Sequence, residues 1–250
     1  MIVLKSPREI EKMKKSGRIV ATILQELKAA VKPGVSTLSL NQLADRLIEK
    51  FKVKSAFKGY KGYQHCLCVS INQEVVHGIP SAKRILQEGD IIGLDFGVVS
   101  EGYYGDSALT VAVGKISPQI QTLLQVTEQS LWKGIEQIKA QNHLSDISHA
   151  VQSHVEKHGF SVVREFVGHG IGQALHEDPP VPNFGEPRQG TVLQEGLVLA
   201  IEPMVNMGKP EVVILKDGWT AVTVDQSLSA HFEHTVALTA QGAQVLTLTQ

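Results

Sequence analysis

The sequence predicts an α+β body made of two copies of one helix–helix–strand unit, related by a pseudo-twofold around a central antiparallel sheet. Three observations predict it. The stretch "LQEGDIIGLDFG" (86–97) returns as "LQEGLVLAIEPM" (193–204), so that Asp95 and Glu202 stand 107 positions apart in matching apolar runs. "LSLNQLAD" (38–45) is answered by "LSDISHAV" (144–151) at an offset of 106. Each copy also opens on Ser-Pro, at Ser6-Pro7 and Ser117-Pro118, a helix cap followed by a residue suited to the first turn. Independent elements that share one spacing point to duplication. The expected organisation is one domain over 1–250 with repeats of about 1–115 and 116–250 and a site on the axis between them; no Gly/Ser linker parts the halves.

The elements follow in order. Ser6, Pro7 and Glu9 form a capping box, and the helix they start carries Ile10, Met13, Val20, Leu24, Leu27 and Val31 on one stripe until Pro33-Gly34 stops it. A second helix starts near Thr37 or Ser39 and buries Leu40, Leu43, Leu47 and Phe51. Strands are predicted at "HCLCVSI", "DIIGLDFGVV" and "YYGDSALTVAV". In the second copy a helix from Ser117 carries Leu123, Leu124, Leu131, Ile135 and Ile138, and the next ends at Gly159. Strands "SVVREFVGH", "LVLAIEPMV" and "AHFEHTVALT" complete it.

A net charge of −1 gives no electrostatic ground for nucleic acid or an anionic membrane as partner. The N-terminus turns charged at once, unlike a secretory leader, and no apolar run reaches the ~18 residues of a membrane span. Cys66 and Cys68, spaced C-x-C, point to one face of a strand and form no disulfide framework. A reducing, cytoplasmic compartment is the expectation. Lys12, Lys14, Lys15, Lys58 and Lys61 read as a solvated face.

The chemistry lies in the acids. Asp95 and Asp106 flank a hairpin turn holding Ser100, Glu101 and Gly102. A register centred between 100 and 101 sets the two acids directly opposite, where Cβ atoms are ~4.5–5.5 Å apart and like charges destabilise. Such a pair near 4 Å repels by about 4 kcal/mol at an effective dielectric near 20, so a cation is expected between them. The repeat adds Glu202. Glu233 then follows Glu202 as Asp106 follows Asp95, at 31 positions against 11, and the longer gap includes Trp219. His169 supplies one imidazole, between Gly168 and Gly170, which let backbone and metal approach closely. Four carboxylates and one imidazole suit two divalent ions (Mn, Fe(II), Co or Zn) better than a thiolate finger. The rival account is a structural arginine, and few lie near these strands.

His77-Gly-Ile-Pro80 and His176-Glu-Asp-Pro179 share H-x-x-P, one per half, in loop-like surroundings. Beside a two-metal centre they read as hydrogen-bond donors to a substrate carbonyl or amide. His65, His143, His149, His154, His158, His231 and His234 have no such placing and are assigned to structure, with His231 at the rim.

Taken together, "HGIP", "IIGLDFGVVSEGYYGDSALT", "VGHGIGQALHEDP", "EGLVLAIEPM" and "SAHFEHTVALT" resemble the type I methionine aminopeptidases of short bacterial form, over essentially the whole chain. The resemblance implies the pita-bread fold, in agreement with the duplication. It implies neither the N-terminal zinc-finger extension nor the helical insertion of other branches. The implied activity is removal of the initiator methionine from nascent polypeptide N-termini when the second residue is small, by attack of a metal-bridging hydroxide on the methionyl carbonyl. Also implied are a cytoplasmic monomer, transient association with the ribosome, and a monovalent cation near Asn72 and Ser229.

By motif position the resemblance makes Asp95 a terminal ligand of one ion, Asp106 and Glu233 bridges, and His169 and Glu202 ligands of the other. Glu202 is also the implied proton shuttle, His176 polarises the carbonyl, and His77 holds the scissile amide nitrogen. The methionine slot falls on Phe57, Tyr60, Tyr63, Cys68, Leu175 and Trp219, with His77 at its edge. Bacterial members commonly have Cys at the position of Phe57 and Phe at that of Leu175, and usually Gln or a similar residue at that of His231. A large residue exchanged for a small one on each side conserves volume while shifting shape. A proline-directed relative with the same ligands and a non-enzymatic binding module are the alternatives. The first usually carries a further N-terminal domain, and the second usually loses ligands.

Overall fold

Ser6 starts the first helix through a closed capping box: its Oγ and its backbone N–H both donate to Glu9 Oε2, at 2.7 and 2.8 Å. The computed structural model describes residues 1–249. In it helix α1 spans Pro7–Ala30 and buries Ile10, Met13, Val20, Leu24 and Leu27. Helix α2 (Thr37–Phe51) is capped by Ser36, whose Oγ accepts from Ser39 N at 3.2 Å. Helices α3 (Pro118–Ile135) and α4 (Leu144–Lys157) repeat the pair, with Ser117 capping α3. Ile138 is buried as expected, although α3 has already ended.

The first copy contributes strands β1 (Lys54–Ser55), β2 (Cys68–Ile71), β3 (Glu74–Val76), β4 (Ile91–Ser100) and β5 (Tyr103–Ala112). The second contributes β6 (Ser161–Val162), β7 (Gly168–Gly170), β8 (Glu177–Val181), β9 (Val198–Ile201), β10 (Met204–Asn206), β11 (Val212–Ile214), β12 (Ala221–Thr223), β13 (Ser229–His231), β14 (Glu233–Thr239) and β15 (Gly242–Val245). The large sheet runs β1-β4-β5-β14-β9-β7-β8, with β2 also pairing β4 and β15 pairing β14. Its centre is therefore two antiparallel pairs, β4–β5 and β14–β9, meeting at β5–β14. One apolar cluster joins α1 and α2 to the first pair through Val20, Leu24, Leu40, Leu94 and Phe96. Another joins α3 and α4 to the second through Leu131, Ile147, Leu199, Ile201 and Val236. Helix α1 lies close on the hairpin because Gly17 and Gly105 meet there; a Cβ on Gly105 would stand 2.8 Å from Gly17 N.

The structure departs from the sequence reading at five places. The β4–β5 turn has two central residues, Glu101 and Gly102, at φ 52° and 81°, the left-handed pair that matches strand twist. It pairs Ser100 with Tyr103, so Asp95 lies opposite Ala108 and Asp106 opposite Gly97. The acids are diagonal neighbours, ~7–8 Å apart in such pairings, which leaves room between them. Second, the three strands expected in the second copy are each split. β9 gives way to β10 at Glu202–Pro203, and β13 to β14 at Phe232, where the chain passes from the large sheet into a separate β13-β10-β6 sheet; Pro203 has no N–H to continue the ladder. Third, Cys66 precedes β2 and turns its thiol to Asn41 of α2, whereas Cys68 faces the other way into the site. Fourth, β8 forms at "EDPPV" despite its prolines, as an edge strand. Last, the longer gap before Glu233 holds the β11–β12 hairpin, which pairs onto β3.

Candidate metal centre and peptide cavity

The register of the large sheet brings the acids into one row. Cys68 pairs with Asp95, Asp95 with Ala108 and Ala108 with Glu233. Glu202 follows the last β9–β14 pair, Ile201 with His234, which sets it across from Glu233. Asp106 lies two residues from Ala108 on the same face of β5, and His169 on β7 pairs with Ala200, two residues before Glu202. Asp106, His169 and Glu233 each offer a ligand atom within 4.8 Å of the others. His169 Nε2 lies 3.5 Å from Glu202 Oε1. The glycines beside His169 serve the strands rather than a metal, because a Cβ on Gly168 would meet Ala200 O at 2.4 Å and one on Gly170 would meet Asp178 O at 2.1 Å.

Three of these carboxylates carry a buried oxygen without a partner. Asp95 Oδ1, Asp106 Oδ1 and Glu233 Oε1 accept no hydrogen bond, and no lysine or arginine pairs with any of the four acids among the described residues. That disposes of the guanidinium account. Orphaned buried charge is costly, and burial moves these groups towards their neutral forms. Burial pushes Asp106 from 3.8 up to about 7. Burial first, then the charge of Asp106, raises Asp95 well above the usual carboxylate range. Glu202 and Glu233 are raised in the same way, each by burial and then by the neighbouring acids. Burial, with His176 beside it, lowers His169 to about 4, a neutral imidazole able to ligate. The donor set thus fits divalent cations: anionic oxygens lacking a counter-charge, and one neutral nitrogen.

A cavity of about 180 Å³ opens on this row. All the residues assigned to the slot line it: Phe57, Tyr60, Tyr63, Cys68, His77, Leu175, His176 and Trp219, with Lys61 in addition. Phe57 and Leu175 are both buried, at 8% and 2% exposure, so the exchange of large for small leaves a closed wall. Tyr63 is fixed by its hydroxyl, which donates to Leu67 O and Gly78 O at 3.1 and 3.2 Å. His77 sits at φ 61°, its ring edge-on to Phe166 at 5.4 Å and to Trp219 at 6.4 Å. Burial, then His176, lowers His77 to about 4. His176 meets the Tyr60 hydroxyl through Nδ1 at 2.8 Å.

Two features escaped the sequence reading. His231 is not a rim residue: it is 4% exposed, with Nε2 3.7 Å from Glu202 Oε2 and no hydrogen bond of its own. Glu202 therefore has an imidazole at each oxygen. The second is Lys5, 5% exposed, whose ammonium pairs with Glu177 at 2.5 Å. Glu177 Oε1 also accepts from Ala174 N at 3.1 Å, so the ion pair braces the turn that carries Leu175 and His176. No strand-level signal pairs residues that far apart in sequence. Asn72 and Ser229 are adjacent, Ser229 N donating to Asn72 O at 2.9 Å.

The family model for metallopeptidase family M24 matches residues 11–240. Methionine aminopeptidase 1 of Bacillus subtilis is 53% identical over 247 residues, covering 99% of each chain. The methionine aminopeptidase of Escherichia coli is 42% identical over 248 residues, covering 99% of this chain and 94% of its own. The crystal structure of methionine aminopeptidase from Thermotoga maritima superposes with a TM-score of 0.98 at 49% identity, covering 99% of this chain and all of that one.

Proposed function

The chain belongs to metallopeptidase family M24 and has its pita-bread fold, and from that premise we infer that it is a methionine aminopeptidase, a hydrolase that takes the initiator methionine from nascent proteins when the second residue is small. The observation that carries the reading is the junction of buried carboxylate oxygens lacking partners with a cavity that has aromatic and apolar residues in its wall, in a chain whose near relatives are named for this activity. Asp95, Asp106, His169, Glu202 and Glu233 would hold two divalent ions drawn from Mn, Fe(II), Co and Zn. Bound there, such ions supply a water acidic enough to ionise near neutral pH and an electrophile for the carbonyl.

The remaining work falls to the protein. Phe57, Tyr60, Tyr63, Cys68, Leu175 and Trp219 enclose the unbranched thioether and exclude water. His176 donates to the methionyl carbonyl oxygen, the atom where negative charge develops. His77 holds the scissile amide nitrogen. Glu202 takes the proton from the attacking water and delivers it to the leaving amine. Its flanking imidazoles, His169 and His231, fix the carboxylate between them. Both halves of the single domain, about 1–115 and 116–250, are needed for one ligand set. The enzyme works as a cytoplasmic monomer that meets its substrates at the ribosome by transient contact, with a monovalent cation beside Asn72 and Ser229. No helix among the described residues is long and apolar enough to cross a membrane.

The test is turnover of Met-Ala, Met-Val, Leu-Ala and Ala-Pro peptides by metal-free chain refilled with each ion in turn, with the metal content measured alongside. Met-Ala is expected fastest, with two ions per chain at full rate. Faster cleavage of the leucyl or prolyl peptide overturns the substrate; bound metal without cleavage overturns the enzyme.

A further inference from the structure

His176 makes one hydrogen bond to the protein among the described residues, from Nδ1 to the Tyr60 hydroxyl at 2.8 Å. Its ring centroid lies 4.3 Å from that of His169 and 5.3 Å from that of Tyr60. The imidazole is thus clamped between the ligand cluster and a phenol, and it lines the cavity. The Tyr60 hydroxyl has no second partner among those residues. Tyr60 is itself held by a tight loop. Gly59 N donates to Tyr63 O at 2.8 Å, Tyr60 N to Phe57 O at 2.9 Å and Tyr63 N to Tyr60 O at 2.9 Å. Lys61 takes φ 46°, a left-handed conformation that a side-chain-bearing residue keeps only where its surroundings impose it. That turn sets the Lys61 ammonium 5.4 Å over the Tyr60 ring, packing it from the solvent side.

A neutral imidazole carries one N–H, and the nitrogen holding it decides whether the other can donate. A phenol is a better donor than acceptor, and imidazole nitrogen is a good acceptor. If Tyr60 donates to Nδ1, the ring proton must sit on Nε2, the nitrogen left free at the cavity. We propose that Tyr60 is a positioning residue that fixes His176 as the Nε2–H tautomer, so that the ring presents a proton, rather than a lone pair, to the carbonyl oxygen of the N-terminal residue being cleaved. The opposite tautomer would set lone pair against lone pair there. From behind, the Lys5–Glu177 pair holds the turn that carries His176, so the ring is oriented from both sides. The inference rests on the reading of His176 as the carbonyl donor.

Imidazole nitrogen spectra of the ¹⁵N-labelled full chain, metal-free and zinc-loaded, test it, with His176 assigned by its loss in His176→Ala. Wild type is expected to show a pyrrole-type Nε2 and a pyridine-type Nδ1 at His176. Tyr60→Phe, which keeps the ring, is expected to show a mixture of tautomers. With Met-Ala peptide its kcat should fall about tenfold, the worth of one neutral hydrogen bond, while KM moves by about twofold or less. The double variant Tyr60→Phe/His176→Ala should be no slower than His176→Ala. An Nδ1–H ring in wild type, or unchanged tautomer populations in Tyr60→Phe, overturns the inference. His176→Ala at the wild-type rate would instead overturn the carbonyl-donor reading, and the nitrogen spectra would still decide what Tyr60 does to the ring.

Discussion

Asp106→Asn should stabilise the metal-free chain while abolishing its activity, and the stabilisation should depend on pH in one direction. Burial raises Asp106 from 3.8 to about 7. Because the folded value lies above the unfolded one, the stability this carboxyl contributes is complete below pH 3.8 and is lost as pH rises through about 7. At pH 8 the loss is about three pKa units at 1.36 kcal/mol each, or ~4 kcal/mol. Asparagine keeps the shape without the charge, and it also relieves Asp95, Glu202 and Glu233, which the Asp106 charge helps to raise. The buried neutral histidines act in the opposite sense over part of this range, but they are common to both proteins and cancel in the difference. The gap in melting temperature, variant minus wild type, should widen from near zero at pH 4 to about 8–16 °C at pH 8, taking ~2–4 °C per kcal/mol for a chain of this size. Added divalent metal should narrow the gap at pH 8 from ~4 to ~1.3 kcal/mol, since ligand at a hundred times its dissociation constant stabilises wild type by ~2.7 kcal/mol and the variant has lost a ligand. A gap that is flat with pH, or a metal-free wild type more stable than the variant at pH 8, would refute the reasoning.

Further outcomes follow from the same geometry. Glu202→Ala and His77→Ala should keep the melting behaviour of folded protein yet lose most turnover on Met-Ala peptide, about a hundredfold or more for the proton shuttle; wild-type rates in both would remove their assigned roles. Gly97→Ala puts a Cβ 2.9 Å from that of Ala56 and 3.1 Å from both Asp106 Oδ1 and Phe57 Cε1. It should cost about 1–3 kcal/mol and weaken metal binding in calorimetry, whereas an unchanged ligand affinity would show that Asp106 moves freely. Lys5→Met leaves the carboxylate of Glu177 without its partner and should destabilise by about 3 kcal/mol, read by urea unfolding. The double change Phe57→Cys/Leu175→Phe should retain Met-Ala cleavage and alter the Met-Val to Met-Ala ratio; an identical ratio would mean that wall shape does not reach the second residue.

The candidate ligands were legible because each ends or interrupts an apolar run, where a carboxylate needs a reason to be. The halves were legible because short cap and turn signals recur at one spacing. The hairpin register was not, since Glu101 takes a left-handed conformation usually left to Asn or Gly, and nothing local marks it. Pro203 was a visible stop that the matching of repeats overrode, so a corner between sheets was read as one strand. β8 hid behind Pro179 and Pro180, which argue against any strand except at an edge. His231 looked like any strand histidine; only the corner at Phe232 brings it to Glu202. Lys5 and Glu177 meet through tertiary packing alone.

Ala108 does no chemistry, yet it stands between Asp95 on one neighbouring strand and Glu233 on the other. It lies two residues from Asp106 on the same face of β5, in the row that the carboxylates form. A valine or leucine there would fill from below the volume that the carboxylates surround, with every donor atom still in place. Room among the donors thus depends also on a small residue that no census of ligands would flag, and engineering of metal choice can begin beside the donors as well as among them.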